Sequence, residues 1–268
     1  MFKIKICGIT SPEDALLAAE AGADAIGLNF YEQSPRYVTP ERAKKIVNSL
    51  SPLQIKLAMG QPGGWNGWIF GVYVNPTFDT ARQIAAICGA ANWQLHGDEP
   101  ASLIAGLSRI ATLVDDHGKA YPRFLEQRHD PSSGLARAFA TIRAFRCRDG
   151  SLKLIDKYLN ECQQAGALPQ AVLLDAYEPG SYGGTGQVVD WNVVRNERDL
   201  LMGLPVILAG GLTPENVAEA IATARPDAVD VASGVESSPG KKDPDKVRQF
   251  IAEARRAFAE LEKPRAST

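Results

Sequence analysis

A thiol and a carboxylate each close a strand-like run. Lys3-Ile4-Lys5-Ile6-Cys7 alternates, with Ile4 and Ile6 on one face and Lys3, Lys5 and Cys7 on the other, before Gly8 breaks it. Ala171-Val172-Leu173-Leu174-Asp175 ends an apolar run in a carboxylate that would be costly to bury alone. An acid and a base facing one pocket can move protons between neighbouring carbon and oxygen atoms. A free thiol titrates near ~8.5, so a basic Cys7 needs a neighbour that lowers it. Lys5, on the same face, could supply that charge, or it could be a core lysine paired with a carboxylate such as Asp230. The bland alternatives are a small buried cysteine at 7 and a turn or capping aspartate at 175.

Other polar residues sit where loops follow strands. Arg36, held by Pro35, suits a substrate carboxylate through a bidentate pair, or is a solvated surface arginine. His96 is a general acid, a polar pocket liner or a structural histidine, and Asn29, Asn75, Asp98 and Arg146 end strands nearby. Three glycine-rich stretches come late in the chain: Gly183-Gly184-Thr185-Gly186, Gly210-Gly211 and Ser233-Gly234. Glycine lets backbone N–H groups approach an anion closely, which points to a phosphorylated small molecule.

These residues need a scaffold, and the pattern supplies one. Strands are expected at Lys3–Cys7, Ala25–Phe30, Phe70–Asn75, Trp93–Asp98, Ile142–Arg146, Ala171–Asp175, Val206–Gly211 and Ala228–Gly234, with helices between them. Ser11-Pro12 and Thr39-Pro40 are helix starts, and a last helix runs from Asp243 to about Glu262. Eight such units predict an α/β fold, a single (β/α)8 barrel over residues 1–262. A doubly wound sheet would carry a GxGxxG after the first strand, and none is present. Residues 54–68 and 107–133 interrupt the repeat as insertions in αβ connections, away from the strand ends that carry chemistry. Trp65 and Trp68 either pack on the barrel floor or seed a contact. The tail 263–268 reads as frayed.

Composition narrows the partners. The 268 residues carry a formal net charge of -2, which points away from nucleic acid and anionic membranes. Cys7, Cys88, Cys147 and Cys162 lack CxxC spacing, so neither a metal site nor a disulfide framework is expected, and a reducing, cytoplasmic setting fits. No apolar run approaches a membrane span of ~20 residues, and the first strand starts too early for a secretory signal.

Seven motifs occur together and in order: Lys5-Ile6-Cys7-Gly8-Ile9-Thr10; Ser34-Pro35-Arg36; Gln94-Leu95-His96-Gly97-Asp98-Glu99; Leu174-Asp175-Ala176; Gly183-Gly184-Thr185-Gly186 with Asp190-Trp191; Leu208-Ala209-Gly210-Gly211-Leu212; and Ser233-Gly234-Val235-Glu236. In this the chain resembles the phosphoribosylanthranilate isomerase family of tryptophan biosynthesis, nearly throughout except at the two insertions. The resemblance implies a cofactor-free Amadori rearrangement, an aldose–ketose isomerisation, by a monomer or homodimer. It implies Asp175 as the acid that opens the ribose ring, Cys7 as the base that takes the C2 proton, and Arg36 on the anthranilate side. His96, Gly184, Gly210, Gly211, Ser233 and Gly234 complete the expected substrate contacts, with the last two loops on the phosphate. Asn29 departs from the apolar residue usual there. A sister sugar isomerase of histidine biosynthesis has an aspartate where Cys7 stands and a twofold repeat not seen here. A phosphate-binding scaffold would not need the acid and base.

Overall fold

Along Ala171–Ala176, Leu173 joins one apolar cluster while Val172 and Leu174 join another. Such a strand needs apolar cover on both faces, which a closed parallel sheet inside a ring of helices provides. A computed structural model shows that arrangement and describes residues 1–90, 92–110, 113–114, 120–121, 140–147, 151–176 and 190–263.

The barrel strands are β1 (Ile4–Ile6), β2 (Ala25–Asn29), β3 (Trp68–Tyr73), β4 (Asn92–Leu95), β5 (Thr141–Cys147), β6 (Ala171–Ala176), β7 (Val206–Leu208) and β8 (Ala228–Val231). Each pairs in parallel with its neighbours, and β8 closes onto β1 through Ile4↔Val229, Lys5↔Asp230 and Ile6↔Val231. The helices are α1 (Pro12–Glu20), α2 (Pro40–Ser49), α3 (Ser51–Ala58), α4 (Phe78–Cys88), α5 (Ala101–Ile110), α6 (Ser151–Gln164), α7 (Trp191–Asn196), α8 (Val217–Ala224) and α9 (Pro244–Glu262). Ser11 and Thr39 cap α1 and α2 as expected, each accepting a backbone N–H through its hydroxyl. Outward residues such as Ile4, Ile6, Val229 and Val231 pack under the helices, and Phe2, Phe70, Ile142 and Leu173 fill the barrel. Among the described residues no helix is long and apolar enough to cross a membrane.

Three expectations change. Lys3 does not share the inner face: the chain bends there, and its ammonium lies 4.9 Å from the Phe258 ring centroid and 3.3 Å from Glu262 Oε1 on α9. The insertion after α2 begins with a helix, α3, started by Ser51-Pro52; Trp65 then tucks in and donates its Nε1–H to Ala23 O at 2.6 Å. The eighth strand stops at Val231, and Ser233–Val235 is a 3-10 turn leading into a hairpin, Glu236–Ser238 with Lys241–Lys242. Of the second insertion, the structure describes the end of α5 and a hairpin of Leu113–Val114 with Ala120–Tyr121.

Candidate active site

Parallel strands bring all their C-terminal ends to one face, and a cleft enclosing about 610 Å³, part of it open to solvent, lies there. Cys7, Arg36, His96, Asp175, Gly210, Gly211, Ser233 and Gly234 all line it, from six different strand–helix connections. Asn29, Gln94 and Asp230 join them. Gly184, with the rest of residues 183–186, lies outside the described residues. Asn75, Asp98 and Arg146 are not among the lining residues: Asn75 Oδ1 accepts the Asp98 N–H, and Asp98 pairs with Arg146 at 2.9 Å on the rim.

Cys7 follows β1 and its N–H is held by Val231 O at 2.8 Å, so the thiol is fixed from the last strand. Lys5 is wholly buried and donates to Asp230 Oδ1 at 3.0 Å, so the lysine has the carboxylate partner that one reading of the sequence gave it. Burial works against the Lys5 charge, but Asp230 and Cys7 outweigh it and hold the ammonium above its ordinary range. Burial pushes the Cys7 thiol up and Asp230 adds to that, while Lys5 pulls it down without reversing the shift. Lys5 thus acts on the thiol in the direction the sequence suggests, but burial and Asp230 outweigh it.

Both groups depend on a missing side chain. A methyl group on Gly27 of β2 would lie 2.7 Å from Cys7 Sγ and 2.9 Å from Lys5 Nζ, inside contact distance. Gly27→Ala should therefore cut kcat by about a hundredfold, the effect of displacing a reacting group by roughly 1 Å. Steady-state kinetics beside a melting curve checks this; a variant with unaltered kcat would show that Cys7 is not held in a productive position.

His96 and Asp175 come together across β4 and β6, with His96 Nε2 3.2 Å from Asp175 Oδ2 and Nδ1 3.4 Å from Gln94 Nε2. A buried clamp frames His96. Arg143 donates to Leu95 O and Gly97 O, the carbonyls on either side, and pairs with Glu99 at 3.1 Å. Glu99 in turn accepts the backbone N–H groups of Asn75 and Gly97.

Arg36 is buried rather than solvated, and its fork is already engaged: Nε and Nη2 donate to the two oxygens of Glu236, each at 2.8 Å. That uses two of the five guanidinium N–H groups and leaves the Nη1 edge for a ligand. Lys242 Nζ sits on the same carboxylate at 2.9 Å. Burial would raise Glu236, but these two cations outweigh it and keep the carboxyl below its usual range. Asn29 has a structural use: its side chain accepts the Tyr31 N–H and donates to Ser34 Oγ, which accepts the Arg36 N–H. The polar residue at the end of β2 thus shapes the loop that presents Arg36.

The loops after β7 and β8 make a glycine-lined wall. Gly210 (φ 80°) and Gly211 (φ 63°) are consecutive left-handed residues, and a side chain on Gly234 would strike Leu212 O at 1.8 Å. Only glycine lets these two loops meet with their backbones facing the cleft. Among the described residues no group of three or more His, Cys, Asp or Glu side chains is arranged to hold a metal ion.

The profile of the family described as N-(5'phosphoribosyl)anthranilate (PRA) isomerase matches residues 4–115 and 133–253. An N-(5'-phosphoribosyl)anthranilate isomerase of Trichlorobacter lovleyi is 42% identical over 258 residues, covering 96% of this chain and 100% of that protein. Monomers made from the dimeric phosphoribosylanthranilate isomerase of Thermotoga maritima superpose with a TM-score of 0.66 at 30% identity, over 95% of this chain and 99% of theirs. A phosphoribosyl anthranilate isomerase in complex with reduced 1-(o-carboxyphenylamino)-1-deoxyribulose 5-phosphate gives the same TM-score, 0.66, at 30% identity and the same coverage, 95% and 99%. The chain belongs to the N-(5′-phosphoribosyl)anthranilate isomerase family.

Proposed function

We propose that this isomerase converts N-(5′-phosphoribosyl)anthranilate to 1-(2-carboxyphenylamino)-1-deoxyribulose 5-phosphate for tryptophan biosynthesis, by acid–base chemistry on its own side chains. The observation that carries the reading is one cleft lined by Cys7, Asp175, Arg36 and the paired glycine loops of β7 and β8.

Asp175 gives a proton to the ribose ring oxygen, and the nitrogen lone pair opens the C1–O bond to form a protonated Schiff base. The iminium acidifies C2–H, and the Cys7 thiolate takes that proton, leaving the enolamine. Tautomerisation then moves the hydroxyl proton from O2 and places a proton on C1, giving the ketone. A weak base suffices because the iminium draws the electron pair toward nitrogen. His96 braces Asp175, Arg36 offers its free edge to the anthranilate carboxylate, and the glycine loops take the phosphate. The four scattered cysteines, which lack CxxC spacing, fit a cytoplasmic, reducing setting.

The test is a fluorescence time course with freshly made substrate in EDTA. The expected result is loss of the anthranilate signal. An unchanged signal with tight binding of the reduced product analogue would mean a phosphate-binding scaffold. Neither decay nor binding would send the search to the two-phosphate sugar of histidine biosynthesis.

A further inference from the structure

The barrel interior is apolar at the level of Phe2, Ala25, Phe70 and Ala228, yet Lys5, wholly enclosed, and Asp230, buried at the edge of the cleft, occupy it as an ion pair. Replacing such a pair by apolar side chains of similar volume is commonly neutral or stabilising, so folding alone does not call for it. Two further facts tie the pair to the thiol. Lys5 Nζ and Cys7 Sγ both crowd the side-chain-free site of Gly27, the sulfur 2.7 Å and the ammonium 2.9 Å from the point a methyl group would occupy, while the ammonium bonds Asp230 at 3.0 Å. Asp230 also lines the cleft beside Cys7.

We propose that Lys5 and Asp230 are positioning residues that set the proton affinity of Cys7, the ammonium drawing the thiol toward thiolate and the carboxylate holding it back. This rests on Cys7 being the base. The balance matters because a thiolate bound too tightly to an ammonium is a poor base, whereas a thiol with no cation beside it is almost never ionised. Asp230 keeps the thiolate basic at the cost of its abundance.

Other charges face Cys7 and are already committed. Lys242, on the hairpin after β8, is bound to Glu236 and Ala232 O. Arg36, in the loop after β2, is forked onto Glu236. His96 and Asp175 lie on the far strands against each other. Lys242 still pulls the thiol down, but less than Lys5 does, so Lys5 and Asp230 are the charges that weigh most on it.

The experiment is the pH dependence of iodoacetamide alkylation at Cys7 in the ligand-free full chain, with peptide mass mapping to separate Cys7 from Cys88, Cys147 and Cys162. Asp230→Asn should lower the Cys7 midpoint by about one pH unit or more, the shift one nearby charge produces, and Lys5→Met should raise it. Shifts of the same sign, or none, overturn the proposal, because general loosening would expose the thiol in both variants and lower both midpoints. Should Lys5→Met not fold, the double variant Lys5→Met/Asp230→Leu buries no charge and replaces it. Its midpoint should lie above that of Asp230→Asn, and equal midpoints overturn the proposal. Alkylation needs no turnover, so a failure of the isomerase assay and a failure here are separate results.

Discussion

Replacing Cys7 with alanine lowers kcat by about 10³-fold, within the range a positioned acid or base contributes, and leaves binding of the reduced product analogue little changed. The thiol is small and nearly enclosed, so its loss leaves a minor gap and no unpaired charge: Lys5 keeps Asp230 at 3.0 Å. What disappears is the acceptor for the C2 proton. Asp175 is intact in this variant, so the ring still opens. Borohydride should then trap the protonated Schiff base as the reduced secondary amine. Turnover close to that of the unmodified protein would remove Cys7 from the base role, and absence of a trapped adduct would mean that ring opening also depends on Cys7.

Asp175→Asn produces a loss of similar size, about 10³-fold in kcat, by the opposite route. The amide is nearly isosteric and can still meet His96, so the cleft keeps its shape. It cannot release a proton to the ring oxygen, so the substrate stays closed and borohydride finds nothing to reduce. The two variants share a phenotype in turnover and part in trapping, which assigns acid and base separately. If Asp175→Asn retained trapping, the acid would be another group, with His96 the nearest candidate at 3.2 Å.

The legible parts of the sequence were those in which one short stretch decides the outcome. Ser11-Pro12 and Thr39-Pro40 start helices through contacts three residues away. The alternating run ending in Cys7 and the apolar run ending in Asp175 each mark a strand that delivers its last residue to the mouth of a barrel. Where the outcome depends on residues far along the chain, the stretch was silent. Nothing near Arg36 indicates that Glu236, 200 positions later, takes its fork. Lys3 fits the alternation of β1 and leaves it because α9 offers Phe258 and Glu262 on the outer side. Ser51-Pro52 does carry a helix-start signal, masked by the Gly/Trp/Pro-rich residues that follow. The sequence also held Gly27 in plain view, but its meaning comes only from the two side chains that fill its empty space.

The seam between β1 and β8 has a consequence for the order of events as the protein is made. Cys7 leaves the ribosome long before Asp230, Glu236 and Lys242, which complete its surroundings. A nascent chain can assemble several strand–helix units around an incomplete pocket, but the thiol and Lys5 meet Asp230 only when the final strand docks on the first. Turnover in a refolding time course therefore reports ring closure itself and lags behind the recovery of helical signal.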